Sequence, residues 1–97
     1  MAKGYWITFY RSVSDAGALA KYASLAGPII QAKGGRILAR GNPGKFYEAG
    51  INERVVLIEF ESLKHAMDAY ESEEYQEVLA ILKDRVERDI RFMSGVE

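Results

Sequence analysis

Two charges stand inside stretches that otherwise read as β-strand: Glu59 in Val55-Val56-Leu57-Ile58-Glu59-Phe60, and Arg40 in Arg36-Ile37-Leu38-Ala39-Arg40. A carboxylate partly withdrawn from water holds its proton to higher pH unless a cation compensates, and such a group suits a general base. Glu59 alternates with Leu57 and Val55, opposite Val56, Ile58 and Phe60. If the latter three pack beneath helices, Glu59 points to the other face of the sheet. Arg40 is then its nearest partner, since the second and third strands should be hairpin neighbours, and its guanidinium would hold an anionic group of a substrate. The competing reading is an ion pair at a sheet edge, which perturbs titration in the same way without any chemistry.

Trp6 and Tyr10 share one face of the first strand and are assigned to the apolar walls of a cavity on the same open sheet face as Glu59, with phenol hydroxyls available to orient a bound molecule. Asn42, in the loop Gly41-Asn42-Pro43-Gly44, is placed at its rim. The one histidine, His65, falls three residues after Ser62, where a polar side chain folds back on a helix start as in a capping box, so a structural role is the simpler reading. No spacing gathers carboxylates for a metal or offers a haem ligand, and no cofactor is expected. Gly44-Lys45 lacks the Walker pattern, which needs Gly at Ala39 and Ser or Thr at Phe46.

The elements that must hold these residues follow from periodicity and punctuation. Tyr5 to Arg11 alternates as a strand. Ser14 or Asp15 caps a helix from Ala16 to Lys33, in which Leu19, Tyr22, Ala23, Ala26, Ile29 and Ile30 form an apolar face. Pro28 predicts a kink or break, and Gly34-Gly35 the helix end. Arg36 to Arg40 is the second strand, with Lys45 to Glu48 as an extended arm. Arg54 to Phe60 is the third and most apolar. Ser62 caps a second helix and Ser72 another, whose stripe runs through Tyr75, Val78, Leu79, Leu82 and Val86. The charge-rich stretch Lys83 to Arg91 reads as a solvated helix face. Ile90 to Ser94 is a last short strand.

This order describes an α+β chain: a ferredoxin-like βαββαβ sandwich, with an antiparallel sheet and helices on one face. The whole of residues 1–97 is expected to form one domain. The other face of the sheet, with Leu57, Met93 and one alternate set of the first strand, exposes more apolar surface than a monomer tolerates. Pairing two such faces in a homodimer removes it. With 13 Lys and Arg against 14 Asp and Glu, the net charge of −1 argues against nucleic acid or an anionic membrane surface as partner. No apolar run approaches the ~20 residues of a membrane span. Zero cysteines exclude disulfides and thiolate chemistry, and the start of the chain lacks the apolar core of a signal peptide. A cytoplasmic location follows as the default.

The combination Gly4-Tyr5-Trp6, Tyr22 with Gly27-Pro28, Gly34-Gly35-Arg36-x-Leu38-Ala39-Arg40-Gly41, Glu48-Ala49-Gly50, Arg54-Val55-Val56-x-Ile58-Glu59-Phe60 and Tyr70-x-Ser72-x-x-Tyr75 resembles the family known as domain of unknown function 1330. That family lies within the dimeric α/β-barrel superfamily. The resemblance implies a homodimer whose two sheets close a barrel around cavities, among relatives that include cofactor-independent monooxygenases and isomerases. Two expectations result. In one, the dimer binds a small organic molecule in its barrel and carries out cofactor-independent isomerisation or oxygenation. In the other, it is a non-catalytic assembly module with a packed interface.

Overall fold

Residues 2–97 are described by a computed structural model. The chain runs through β1 (Gly4–Val13), α1 (Ala16–Ala32), β2 (Arg36–Gly41), β3 (Val55–Phe60), α2 (Leu63–Glu71), α3 (Glu73–Leu79) and β4 (Val86–Ser94), with a 3-10 turn at Ala80–Leu82. The four strands make one sheet in the order β2-β3-β1-β4, and each pairing is antiparallel. The helices cover one face, giving the ferredoxin-like α+β arrangement.

Local chemistry explains the boundaries. Asp15 accepts from the Ala18 amide at 2.9 Å, and the hydroxyls of Ser62 and Ser72 accept from the amides of His65 and Tyr75, so each helix start has a side-chain acceptor. At the end of α1 the Gly35 amide donates to the Ile30 carbonyl and the Gly34 amide to that of Gln31. This Schellman closure needs a left-handed residue, supplied by Gly34 at φ +94. Pro28 stands inside α1 without ending it. Lys45 to Glu48 forms no strand.

The register decides which residues meet. Trp6 lies between Ile58 and Phe92, Thr8 between Val56 and Ile90, and Tyr10 opposite Arg88. All of these face the helices. Trp6 is 1 % exposed at the centre of an aromatic cluster, its ring 4.9 Å from Tyr75, 5.4 Å from Tyr70, 5.5 Å from Phe92 and 6.4 Å from Phe60. Its indole N–H donates to Thr8 Oγ1 at 2.9 Å, which satisfies both buried polar atoms. The assignment of Trp6 and Tyr10 to the open sheet face is thereby corrected. Both faces of β1 are comparably apolar, so alternation alone could not choose between them; the pairing with Ile58 does.

A second correction concerns the C-terminal third. Val86 belongs to β4 and not to a helical stripe, and Lys83 to Arg91 is a turn followed by a strand. Along β4, Val86, Arg88, Ile90 and Phe92 alternate toward the helices, leaving Glu87, Asp89, Arg91 and Met93 on the other face. The open face thus carries Tyr5, Ile7 and Phe9 from β1 with Val55, Leu57 and Glu59 from β3. Among the described residues no helix is long and apolar enough to cross a membrane.

Candidate functional site

Glu59 does lie on the open face, but its partner is Arg36. The pairing Arg36↔Glu59 sets the two opposite one another, and the guanidinium bonds the carboxylate. Tyr5, across β3 on β1, donates its phenol proton to the other carboxylate oxygen at 2.9 Å. Arg40 is elsewhere, for a definite reason. An extra residue at Leu38 shifts the register between Ile37 and Ala39, so Arg40 pairs with Val56 and turns to the helix face. In unbroken register it would have shared Glu59's face. The expected Arg40–Glu59 pair does not form.

The bonds from Arg36 and then Tyr5 hold the Glu59 carboxyl below its usual 4.5. A carboxyl of depressed pKa is a poor general base. Because its folded value lies below the unfolded one, its contribution to stability is complete above about pH 4.5 and is lost as pH falls through the folded value. Glu59→Gln is therefore expected to melt below the parent at neutral pH, with the gap closing in acid. Melting curves across that range check this; a variant more stable than the parent at neutral pH would show a strained, proton-seeking carboxylate instead.

The helix face carries the more unusual arrangement. Between α1 and the sheet lies a cavity of about 40 Å³, lined by Trp6, Thr8, Tyr10 and Tyr22, by apolar atoms of α1 and β3, and by three arginines: Arg40, Arg54 and Arg88. Arg88 lies 5.6 Å from the ring centres of both Tyr10 and Tyr22, a cation–π placement, and its Nη1 donates to Tyr22 Oη at 3.4 Å. The Tyr22 and Tyr75 hydroxyls share a hydrogen bond of 2.6 Å. Burial pushes the Tyr75 phenol far above its usual 10.0, and it raises Tyr10 against the opposing pull of Arg88. Both phenols stay protonated at neutral pH. Among the described residues the cavity lining includes no carboxylate and no imidazole, so its polar groups are guanidiniums, which only donate, and hydroxyls, which donate or accept.

Trp6, Tyr10 and Arg40, drawn from the sequence for a barrel cavity, thus meet in a cleft on the opposite face. Asn42 is not part of that lining; its side-chain amide donates to Asn52 at 3.3 Å and closes the β2–β3 loop. His65 bonds Ser62 through Nδ1 at 2.6 Å, a cap at the start of α2. Among the described residues no three His, Asp or Glu side chains converge as metal ligands. Tyr22, Arg54 and Arg88 went unrecognised as a group. The period-two pattern Val86-x-Arg88-x-Ile90-x-Phe92 was the available signal for Arg88. A larger hollow of about 360 Å³ opens on the other face, between Phe9, Val55 and the loop residues Phe46 and Ile51.

The family model described as Domain of unknown function (DUF1330) matches residues 3–96. Among curated proteins, none matches the chain. The fold is similar to that of a protein of unknown function from Rhodopseudomonas palustris, with TM-score 0.73, 15% identity, and 99% of this chain and 84% of that one covered. It is also similar to a dimeric ferredoxin-like protein of unknown function from Thermobifida fusca, with TM-score 0.69, 12% identity and 96% and 91% coverage. A proposed antibiotic biosynthesis monooxygenase from Nitrosomonas europaea gives TM-score 0.57 at 18% identity, with 97% and 90% covered. At these identities the likeness is one of fold.

Proposed function

The chain belongs to the family described as Domain of unknown function (DUF1330), and from that premise we propose a homodimer, paired through its open sheet faces, that binds a small organic molecule in the cleft beneath α1 of each protomer. The observation that carries the binding reading is the cleft itself. Apolar walls surround a few convergent polar groups, the make-up of a small-molecule site, and at about 40 Å³ the cavity takes a head group with the rest of the ligand at its mouth. Its guanidiniums are donors and the Tyr10 phenol can donate beside them, suited to holding an anion and to stabilising charge that develops on an enolate oxygen. That is the help a cofactor-independent isomerisation or oxygenation asks for, and it moves such chemistry from Glu59 to the helix side. The absence of cysteine fits a cytoplasmic setting.

The dimer reading rests on the open face. Phe9 is 39% and Met93 54% exposed there, beside Ile7, Val55 and Leu57, and the Thermobifida fusca relative is dimeric by description. Ile7 stands between Leu57 and Arg91, near the middle of that face. Ile7→Glu is expected to give a folded monomer, because two copies would oppose carboxylates in an apolar interface. Sedimentation velocity with far-UV circular dichroism reads both properties; a folded variant that stays dimeric would put the interface elsewhere.

Binding is tested by melting the dimer against a metabolite library. A ligand present at a hundred times its Kd stabilises by about 2.7 kcal/mol. Gly27 lines the cleft and an added Cβ there meets no atom within 4 Å, so Gly27→Leu should fill the space without disturbing α1. Hits lost in that variant support the reading. Hits that survive it place the ligand on another surface, and no hits at all, with a dimer that resists dilution, favours the pure assembly module.

A further inference from the structure

The arginines of this chain divide cleanly. Arg11, Arg36, Arg85 and Arg91 each form an ion pair with a carboxylate. Arg40, Arg54 and Arg88 form none among the described residues, and these are the three that line the cleft. Like charges lining one half-enclosed space repel one another, and the half-buried Arg54 and Arg88 lose part of their hydration. Arg54 adds a sharper sign: its Nε is buried and has no hydrogen-bond partner among the described residues, an arrangement native structures seldom leave unanswered. Its main-chain carbonyl is fixed by the Tyr10 amide at 2.9 Å, and Arg88 is held between two tyrosine rings. The Arg88 guanidinium is thus anchored by its surroundings, and Arg54 by its main chain.

Resting on the reading of the cleft as a small-molecule site, we propose that its ligand is an organic monocarboxylate, with the carboxylate among Arg40, Arg54 and Arg88 and an apolar body along α1 at Ala23 and Gly27. Size selects the head group. A cavity of about 40 Å³ admits a head group of a few atoms and not a whole ligand, so the apolar body lies along the open mouth of the cleft. Shape agrees, since a planar carboxylate accepts paired bonds from the guanidinium fork. The body must be apolar because Ala23, Ala26 and Ile30 of α1 face Ile37 and Val56 of the sheet at the cavity wall.

A panel of aliphatic and aryl monocarboxylates, each with its matching primary amide, is titrated calorimetrically against the dimer at fixed ionic strength. The amide keeps size and shape while removing the charge. At least one acid is expected to bind ten-fold or more tightly than its amide. Arg54→Met should abolish that preference while leaving the unliganded melting temperature unchanged or higher, because it removes an unsatisfied buried group. Gly27→Leu should block acid and amide alike. Acids and amides that bind equally, both blocked by Gly27→Leu, overturn the carboxylate assignment and leave the cleft standing as a site. Acid binding indifferent to both substitutions overturns it too, by placing the anion outside the cleft. If neither the panel nor the metabolite library binds, the site reading falls and the ligand class with it.

Discussion

Alanine in place of Trp6 is expected to destabilise the fold by about 4 kcal/mol, which lowers the melting temperature on the order of 20 °C in a domain of this size. The argument begins with burial. Trp6 is 1 % exposed and touches four other aromatic rings contributed by β3, α2, α3 and β4. Truncation would open a void bounded by rings already fixed by their own strands and helices, so little collapse can follow. The Thr8 hydroxyl would also lose its indole donor. Trp6→Phe keeps most of the volume and should cost markedly less. A tryptophan that served chiefly as a ligand wall would behave otherwise, with alanine weakening binding and leaving the melting temperature of the free protein nearly unchanged. Calorimetry of the two variants without ligand separates these outcomes.

Much of this architecture was legible in the residues. The caps at Asp15, Ser62 and Ser72 and the glycines after α1 act through near-neighbour hydrogen bonds, so local sequence announces them. The near-continuous apolar run of Val55 to Phe60 likewise marked the strand at the interior of the sheet. The candidate site was less legible, because it depends on register. Whether Trp6 or Tyr5 faces the helices is a choice between two apolar sets, resolved only by which strand pairs with which residue. The bulge at Leu38 has no glycine or proline to mark it, yet it turns Arg40 from Glu59's face to the cleft. Arg36, four residues earlier, takes the vacated role. Arg88 was hidden by its neighbours: Lys83, Asp84, Arg85 and Glu87 make the stretch look solvated, although alternation with Val86, Ile90 and Phe92 draws that one guanidinium inward. Alternation therefore gave the face of Glu59 where the strand was regular, and gave the wrong face for Arg40 where one inserted residue reversed its direction.

The second large effect is expected at Gly4, where alanine should cost roughly 3 kcal/mol through overpacking. Gly4 is the first residue of β1, pairs with Phe60 on one side and Ser94 on the other, and is buried. A Cβ built there would overlap the Ser62 carbonyl and the Leu63 amide nitrogen. Those are backbone atoms of the cap that starts α2, so no side chain can swing aside. Either β1 must part from β3 at its first rung or the cap must shift. The neighbouring rung pairs Tyr5 with Glu59, and its phenol–carboxylate bond is the first feature to loosen. The control is Gly27→Ala, which meets no atom within 4 Å and should stabilise by about 0.5–1 kcal/mol by removing backbone freedom in a helix. Opposite signs for two glycine-to-alanine changes would tie the loss at Gly4 to steric contact. A Gly4→Ala variant that melts with the parent would mean that β1 and the α2 cap do not approach as closely as the fold requires.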